Sequence, residues 1–342
     1  MKRALVSTAL ALGLFLSLTA NAPAEAGQTL DTIKGKGLLT CGISGATAGF
    51  ALADSQGNYS GLDVELCKGM AAAVLGSADK IKFIPLSAPQ RFTALQSGEV
   101  DLLALNATWT LGREGTLGVL FGPTIFYDGQ GFMVKKSAGI KSAKDLGGAT
   151  ICVQPGTTSE LNLADYFRAR NIQYKAVTIE QMDALETAFF AGRCDAYTTD
   201  ASTLVGAKIK TKNPDDFLIL PEVISKEPLA FMARQGDDQF YTVLRWTTFA
   251  LIQAEEKGIT KANVDDMLQS PDPDIKRLLG VTPGNGKALG LDEKWAYNAI
   301  KTVGNYGEIF ERTVGKGSPL QLDRGLNELW TKGGLMYAPP AR

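Results

Sequence analysis

The residues best suited to chemistry lie at positions 101–113, in the sequence DLLALNATWTLGR. Four apolar residues open the run and favour a buried strand, which then passes into small and hydroxylated residues that include Asn106 and Thr108. The run ends on Arg113, whose guanidinium is a planar fork of donors that matches a carboxylate. Free amides and hydroxyls can donate to the remaining lone pairs of the carboxylate. The pattern predicts a carboxylate receptor, and the alternative is a strand end followed by a surface arginine.

A second candidate segment is QPGTTSE, at positions 154–160. It follows an apolar strand predicted at 149–153 and resembles the start of a helix, with a threonine or serine as the N-cap. Free backbone N–H groups and hydroxyls at a helix N-terminus favour an anionic group. We therefore expect this segment also to face an anion.

Composition narrows the possible classes of function. The formal net charge is −1 over 342 residues, which argues against a nucleic-acid partner. The chain has no histidine, and so lacks the commonest metal ligand and the usual general base of serine and cysteine nucleophiles. It also has no C-x-x-C pair, which disfavours a zinc site. We expect neither a metal nor another cofactor.

The N-terminus predicts export. Lys2 and Arg3 precede an apolar run at 4–18 and a segment of small residues, the pattern of a secretory signal peptide. The small-x-small sequence AEA favours a signal peptide of residues 1–26, with cleavage after Ala22 as the alternative. The apolar run is shorter than the ~20 residues that span a bilayer, and no later stretch is long enough. We expect a mature protein in the periplasm.

Apolar periodicity places the first candidate segment in an α/β unit. Strands predicted at 38–43, 80–86 and 100–105 alternate with helices that begin near Gly61 and Arg91. Such alternation argues for a mostly parallel, doubly wound sheet. Ligands bind beyond the carboxyl ends of the strands in sheets of this kind, which is where the loop at 44–50 and the segment at 106–113 fall.

A second α/β unit follows, and the two units predict two lobes. Extended segments at 125–136 and 224–234 lead into and out of the second unit, and helices follow to the C-terminus. We expect lobe 1 at 27–131 plus 231–342 and lobe 2 at 132–230, with a hinge and a cleft between them.

The four cysteines are an even number in an exported chain, which favours disulfides. Of the three possible pairings we predict Cys41 with Cys67 and Cys152 with Cys194, because each bond would then join neighbouring elements within one lobe. Four buried free thiols are the alternative.

The sequence resembles the periplasmic solute-binding proteins of polar amino-acid ABC transporters, in particular a long subfamily that binds general L-amino acids or glutamate, glutamine, aspartate and asparagine. The resemblance covers nearly the whole mature chain. It rests on these segments: GLDVELCKGMAAAVLG, RFTALQSGEVDLLALNATWTLGR, IFYDGQGFMV, QPGTTSELNLADYF, AGRCDAYTTD, LPEVISKEPLA, VGNYGEIFER and LWTKGGLMYAPP.

The resemblance implies both a fold and a function. The fold is a type II-like periplasmic binding protein, with two doubly wound α/β lobes, two crossing strands and a C-terminal helical extension. The function is that of a monomeric substrate-binding subunit, which captures free L-amino acids by hinge closure and delivers them to an ABC permease in the membrane.

The resemblance also assigns roles to single residues. Arg113 would clamp the α-carboxylate of the ligand, and Asp200, at the end of a predicted strand, would receive its ammonium. The alternative for Asp200 is a helix N-cap. Further contacts to the carboxylate would come from five residues: Asn106, Thr108, Gly156, Thr157 and Thr158.

The loop after the first strand departs from the family pattern. Smaller relatives usually place there an aromatic residue that covers the ligand side chain, whereas this loop has Thr47, with Phe50 further on. Either Phe50 or Trp109 is the expected cover, with core packing as the alternative for both. The small residues of the loop leave room and few fixed polar groups, which favours a broad range of amino acids.

An enzyme on the same two-lobe architecture is the rival interpretation. It would need a general acid or base over the substrate. Without histidine the candidates are Asp128, Glu160 and Asp200, and none has a visible catalytic partner. We therefore expect a binding protein and no enzymatic activity. A sensor lobe would need a fused signalling domain, which the sequence does not show.

Overall fold

The computed structural model describes residues 28–342. The predicted signal peptide at 1–26 and its cleavage sites lie outside the described residues. Across 28–342 the structure contains no helix with the length and apolar character needed to cross a membrane.

Strands and helices alternate through the first two thirds of the described chain, and helices dominate the last third. The strands are β1 (Leu39–Ile43), β2 (Ala46–Thr47), β3 (Ala51–Ala53), β4 (Tyr59–Ser60), β5 (Ile81–Pro85), β6 (Leu102–Leu103), β7 (Val119–Asp128), β8 (Gln130–Lys135), β9 (Thr150–Val153), β10 (Lys175–Thr178), β11 (Ala196–Asp200), β12 (Phe217–Ile219) and β13 (Glu227–Arg234). The α-helices are α1 (Gln28–Lys36), α2 (Leu62–Leu75), α3 (Arg91–Ser97), α4 (Leu111–Thr116), α5 (Thr158–Arg168), α6 (Met182–Phe190), α7 (Ala201–Lys210), α8 (Asp238–Glu256), α9 (Val264–Met267), α10 (Pro273–Leu278), α11 (Asn285–Leu289), α12 (Trp295–Val303) and α13 (Tyr306–Thr313).

Two five-stranded sheets organise the molecule, in the orders β5-β1-β6-β13-β7 and β10-β9-β11-β8-β12. In the first sheet β1 pairs parallel with β5 and β6, and β13 pairs antiparallel with β6 and β7. The second sheet repeats this arrangement, with β9 parallel to β10 and β11, and β8 antiparallel to β11 and β12. Half of the pairings are thus antiparallel, more than predicted, because the strands that cross between sheets enter against the local strand direction.

The chain changes sheet twice. The first crossing is Gly129, between β7 and β8, and the second is the segment between Ile219 and Glu227. We use lobe 1 for the part built on the first sheet and lobe 2 for the part built on the second. We propose the lobe boundaries at these crossings, slightly before the predicted positions at 131/132 and 230/231.

The C-terminal extension belongs to the core of lobe 1. Ile300 of α12 and Phe310 of α13 are fully buried in the same apolar cluster as Leu66 of α2 and Leu251 of α8. Burying large apolar side chains stabilises a fold by about 1.5–3 kcal/mol each. Lobe 1 therefore depends on the extension for part of its stability.

Both predicted disulfides are present. One joins Cys41 in β1 to Cys67 in α2, with a Cα–Cα distance of 6.5 Å, and the other joins Cys152 in β9 to Cys194 just before β11, at 5.7 Å. Each bond lies within one lobe, and residues 28–342 contain no free cysteine. The bonds leave the two lobes free to move relative to each other.

Candidate ligand-binding cleft

A cavity of about 240 Å³ lies between the two lobes. Several of its walls are the loops that follow strands, as expected for sheets of this kind. Lobe 1 contributes polar and aromatic lining side chains that include Ser44, Thr47, Tyr59, Ser87, Arg91 and Asn106. Lobe 2 contributes, among others, Gln154, Thr157, Thr158, Met182, Thr199 and Asp200.

Arg113 is held at the start of a short helix. The hydroxyl of Thr110 caps α4 by accepting a hydrogen bond from the Arg113 N–H at 3.2 Å. The guanidinium donates from Nη1 to the carbonyl oxygen of Thr108 at 2.9 Å and lies over the ring of Phe92, 5.4 Å from its centre. One nitrogen of the guanidinium is thus used to orient the group. Neither Arg113 nor Thr108 is among the residues that line the cavity.

A second guanidinium, which the sequence analysis did not single out, belongs to Arg91. Its side chain lines the cavity and is only 3% exposed, and its guanidinium lies over the same Phe92 ring, 4.9 Å from the ring centre. Its Nε has no hydrogen-bond partner in the described part of the chain. Burial, with the nearby charge of Arg113, lowers the pKa of Arg91 to about 9, and Asp200 opposes that change. A bound anion would therefore be favoured here.

Asn106 occupies a turn with a positive φ of 39°, a backbone conformation that asparagine tolerates better than most residues. It lines the cavity, and both buried polar atoms of its half-buried side chain lack partners among the described residues. The Asp63 carboxyl is fully buried. Burial raises the pKa of Asp63 to about 7, and the Asn106 N–H opposes this rise. Unpaired buried polar groups are costly, so the Asn106 amide is a strong candidate for ligand contact.

The Gly-Thr-Thr turn forms the N-terminus of α5. Gly156 has a φ of 71°, and its N–H donates to Glu160 at 2.9 Å, so this N–H is not available to a ligand in the structure. The Thr157 hydroxyl caps the helix by accepting from the Glu160 N–H at 3.1 Å. Thr157 and Thr158 line the cavity. Gly156 is therefore a turn residue, and the helix start itself faces the cleft.

Asp200 ends β11 and lines the cavity from lobe 2. Its side chain makes no capping hydrogen bond to α7, which disfavours the alternative role as an N-cap. Burial raises the pKa of Asp200 well above its usual range, the carboxylates of Asp128 and Glu227 add to the rise, and Arg91 and Arg113 oppose it. A cation placed here would stabilise the ionised form, so the environment suits an ammonium group.

Asp128 is a neighbouring acid at the hinge. It ends β7 and accepts hydrogen bonds from the Gly129 N–H at 2.8 Å and from the Ser202 hydroxyl. Burial raises the pKa of Asp128 to about 6 against these hydrogen bonds, and the charge of Glu227 contributes to the rise. Its partners are used structurally, so Asp128 shapes the electrostatics of the cleft rather than offering a free acid.

Glu227 is the second residue that the sequence analysis missed. It is 1% exposed and accepts hydrogen bonds from the hydroxyl of Thr158 at 2.8 Å, the amide of Asn162 at 2.7 Å, and the hydroxyls of Thr108 and Ser225. The predicted hydroxyl contacts of Thr108 and Thr158 are therefore directed at this carboxylate. The two threonine hydroxyls also lie 3.2 Å apart across the cleft.

Other contacts also join the lobes. The Ser87 hydroxyl of lobe 1 donates to Glu180 of lobe 2 at 2.8 Å, and the Lys210 ammonium of lobe 2 donates to the Ala46 carbonyl of lobe 1 at 3.1 Å. The structure thus shows the cleft closed.

Neither aromatic residue expected to cover the ligand lies at the cavity. Phe50 is fully buried in the core of lobe 1, edge-to-face with Phe126 at 5.2 Å. Trp109 is 41% exposed, stacks on Phe121 at 6.2 Å and donates to Glu114. Core packing, the stated alternative, describes Phe50, and surface packing describes Trp109. The described residues that line the cavity instead include Tyr59, on the small β2-β3-β4 sheet, and Met182.

The fold and the cleft define a two-lobe solute-binding protein. The chain belongs to the bacterial extracellular solute-binding proteins, family 3, which it matches over residues 39–316. The family consists of solute-binding proteins rather than enzymes, and the rival interpretation as an enzyme is set aside on that ground.

Among its relatives, the chain is similar to the general L-amino acid-binding periplasmic protein AapJ of Rhizobium johnstonii, with 54% identity over 100% of both chains. It is 51% identical to the glutamate/glutamine/aspartate/asparagine-binding protein BztA of Rhodobacter capsulatus, over 94% of this chain and 95% of the relative. A solved structure of an ABC transporter periplasmic binding protein from Brucella ovis, with glutathione bound, is 53% identical, with a TM-score of 0.90 over 92% of this chain and 99% of that one. These similarities confirm the predicted family and two-lobe fold.

Proposed function

We propose that the chain is the substrate-binding subunit of an amino-acid ABC transporter, and that it captures free polar and acidic L-amino acids and their amides by closing its cleft. The observation that carries this proposal is the placement of charge around the cavity between the lobes. Arg91 lines this cavity from lobe 1 and Asp200 lines it from lobe 2. The charge of Arg113 also acts on the Asp200 carboxyl, although Arg113 is not among the lining residues. An amino-acid zwitterion has the complementary charges, a carboxylate for the guanidinium side and an ammonium for Asp200.

The carboxylate end of the ligand would bind at lobe 1 and the start of α5. Arg113 provides an oriented guanidinium, and the N-terminus of α5 provides backbone N–H groups that favour an anion. The threonine hydroxyls contribute through Glu227 rather than directly, because a hydroxyl has one hydrogen and those of Thr108 and Thr158 point at that carboxylate. Asp200 would receive the ammonium.

The side chain of the ligand would meet groups that can serve both acids and amides. Arg91 and Asn106 line the cavity, and within residues 28–342 the Arg91 Nε and both polar atoms of the Asn106 amide have no hydrogen-bond partner. A guanidinium donates equally to a carboxylate or to an amide oxygen, and an asparagine amide both donates and accepts. This combination supports a range that includes glutamate, glutamine, aspartate and asparagine, the ligands named for BztA, and the wider range named for AapJ.

A solved relative with a bound peptide suggests a second candidate ligand. Glutathione, the ligand in the Brucella ovis structure, presents the same α-amino and α-carboxyl groups at its γ-glutamyl end. We therefore propose glutathione as a second ligand class for the same site.

Delivery completes the proposal. The protein would act in the periplasm as a monomer after removal of the predicted signal peptide, and the closed form would dock on the permease subunits. The names of the relatives, which include periplasmic and ABC-transporter binding proteins, support this part.

Isothermal titration calorimetry against all twenty amino acids and glutathione tests the proposal. Micromolar binding corresponds to about −8 kcal/mol. Over about ten ligand heavy atoms this is about −0.8 kcal/mol per atom, below the ceiling of about −1.5 for very small ligands, and it requires most polar groups of the ligand to be paired. We expect micromolar or tighter binding of several polar amino acids. Absence of binding by every amino acid would refute the proposal, and glutathione binding alone would restrict it to the second class.

A further inference from the structure

Glu227 forms an unusually complete hydrogen-bond hub at the hinge. It is the first residue of β13, where the second crossing returns to lobe 1, and its register partner on β7 is Asp128 at the first crossing. Four side chains donate to its buried carboxylate: Thr108, Thr158, Asn162 and Ser225. A carboxylate can accept about four hydrogen bonds, so the hub is saturated without any ligand.

The donors come from both lobes. Thr108 lies on lobe 1, directly after β6, while Thr158 and Asn162 lie on α5 of lobe 2, at 2.8 Å and 2.7 Å from the carboxylate oxygens. Hydrogen bonds to an ionised acceptor are roughly twice as strong as neutral ones. Opening the cleft would separate Thr158 and Asn162 from Thr108 and break the hub apart.

We propose that Glu227 is a latch that stabilises the closed cleft independently of the ligand. In this mechanism the carboxylate draws α5 of lobe 2 onto the β6 side of lobe 1, and so maintains a closed population before any ligand arrives. The apparent dissociation constant equals the intrinsic one divided by the fraction of the protein in the competent form. The latch would therefore strengthen the binding of every ligand by one common factor. This affinity effect rests on the proposed function, whereas the effect on the ligand-free conformation does not.

Small-angle X-ray scattering of the ligand-free protein tests the latch directly. In Glu227→Gln the amide keeps the size of the side chain but replaces one acceptor by a donor that faces donors. We expect this variant to have a larger radius of gyration than the wild type without ligand, and the same radius at saturating ligand. Glu222→Gln is the matched control, because Glu222 precedes β13 but bonds to Ser142 within lobe 2. It should scatter like the wild type.

Calorimetry supplies the second readout. We expect Glu227→Gln to bind each accepted amino acid at least tenfold more weakly, with the ligands kept in the same order of affinity. Asn162→Ala removes one donor from lobe 2 without altering the buried acid, and it should shift both readouts in the same direction by a smaller factor. This variant keeps the test decisive if thermal melting shows that Glu227→Gln does not fold.

Three results would overturn the latch. The first is ligand-free scattering by Glu227→Gln that is identical to that of the wild type. If Glu227→Gln does not fold, the same comparison is made with Asn162→Ala. The second is a wild type that is fully open without ligand. The third is a gain in affinity with unchanged scattering, which would instead show that Glu227 competes for the threonine hydroxyls. If no amino acid binds the wild type, the proposed function fails while the scattering result still decides the latch.

Discussion

At the scale of single residues, the cleft concentrates charge that the protein alone does not fully balance. The charges of Asp128 and Glu227 help to raise the pKa of the buried Asp200 carboxyl, and Arg91 and Arg113 oppose that rise. Charged groups held away from water require partners. In the proposed function, a zwitterion would supply one partner for each sign.

Replacing Arg113 tests the carboxylate end. Arg113→Ala should weaken the binding of every amino acid about 100-fold or more, because hydrogen bonds to charged groups contribute about 1.5–3 kcal/mol each and a fork makes two. Arg113→Lys should recover only part of the affinity, since the charge returns without the fork. Calorimetry measures both, with Arg168→Ala, at the exposed end of α5, as the control. Near wild-type binding by Arg113→Ala would show that the carboxylate lies elsewhere.

The raised pKa of Asp200 predicts that binding depends on pH. Ligand ammonium pairs only with the ionised carboxylate, so affinity is complete above the pKa of the free protein and is lost as the pH falls through it. Because burial and the charges of Asp128 and Glu227 raise the pKa of Asp200 well above its usual range, we expect the loss to begin well above the usual range of a carboxyl group. The loss approaches about tenfold per pH unit once Asp200 is mostly protonated in the free protein.

Calorimetry across pH, in buffers of different ionisation enthalpy, checks this dependence. Wild-type binding should release protons near the midpoint of the loss. Asp200→Asn should bind weakly and lose this pH dependence, while Asp195→Asn, just before the same strand, should retain it. An affinity that stays constant from about pH 7.5 to about pH 4.5 would rule out Asp200 as the ammonium partner.

At the scale of elements, the sequence pattern predicted those strands and helix ends that depend on residues close together in the sequence. The apolar runs located β1, β5 and β9, and the glycine after α3 marked its end, because burial period and capping depend on neighbours in sequence. The segments that bear Arg113, Thr158 and Asp200 were also located, since each lies at or after the carboxyl end of a strand.

Residues that act across elements were harder to predict. Arg91 opens an ordinary helix and Glu227 opens an ordinary strand. Nothing near them in sequence shows that Arg91 lines the cavity or that Glu227 bonds to side chains of both lobes. Phe50 was misplaced because the short β2-β3-β4 sheet folds the loop so that Phe50 enters the core of lobe 1 and Tyr59 faces the cavity. The direction of a side chain in a three-residue strand depends on packing that one sequence does not reveal.

The second disulfide provides a prediction for lobe 2 as an assembly of elements. The Cys152–Cys194 bond ties β9 to the segment before β11 across 42 residues. Removing a native disulfide of this kind costs about 2–4 kcal/mol. The double variant Cys152→Ser, Cys194→Ser should therefore unfold at a lower urea concentration, as followed by circular dichroism. Amino-acid affinity at 25 °C should change little, because neither cysteine lines the cavity. An unchanged urea midpoint would contradict the structural role.

At the scale of the whole molecule, closure requires two stiff lobes and a defined hinge. The disulfides and the separate cores keep each lobe intact, while the crossings and Glu227 lie between them. The C-terminal extension reaches this hinge as well. The Tyr306 hydroxyl donates to the Ile125 carbonyl at 2.7 Å, and the Asn327 side chain bonds to both the N–H and the carbonyl of Tyr127, at 2.6 Å and 3.1 Å. The extension therefore fixes the end of β7 on the lobe 1 side of Gly129.

Asn327→Ala tests whether the extension confines bending to the crossing itself. The change leaves two backbone groups of Tyr127 without partners, and each such loss costs about 1–3 kcal/mol. We expect faster hydrogen–deuterium exchange at the end of β7, a lower melting temperature, and amino-acid affinity within a few-fold of the wild type, since Asn327 does not line the cavity. Asn298→Ala, in α12 of the same lobe, is the control. If exchange at β7 stayed at the wild-type rate, the extension would stabilise only the lobe 1 core, and the position of the hinge would be set by the crossing strands alone.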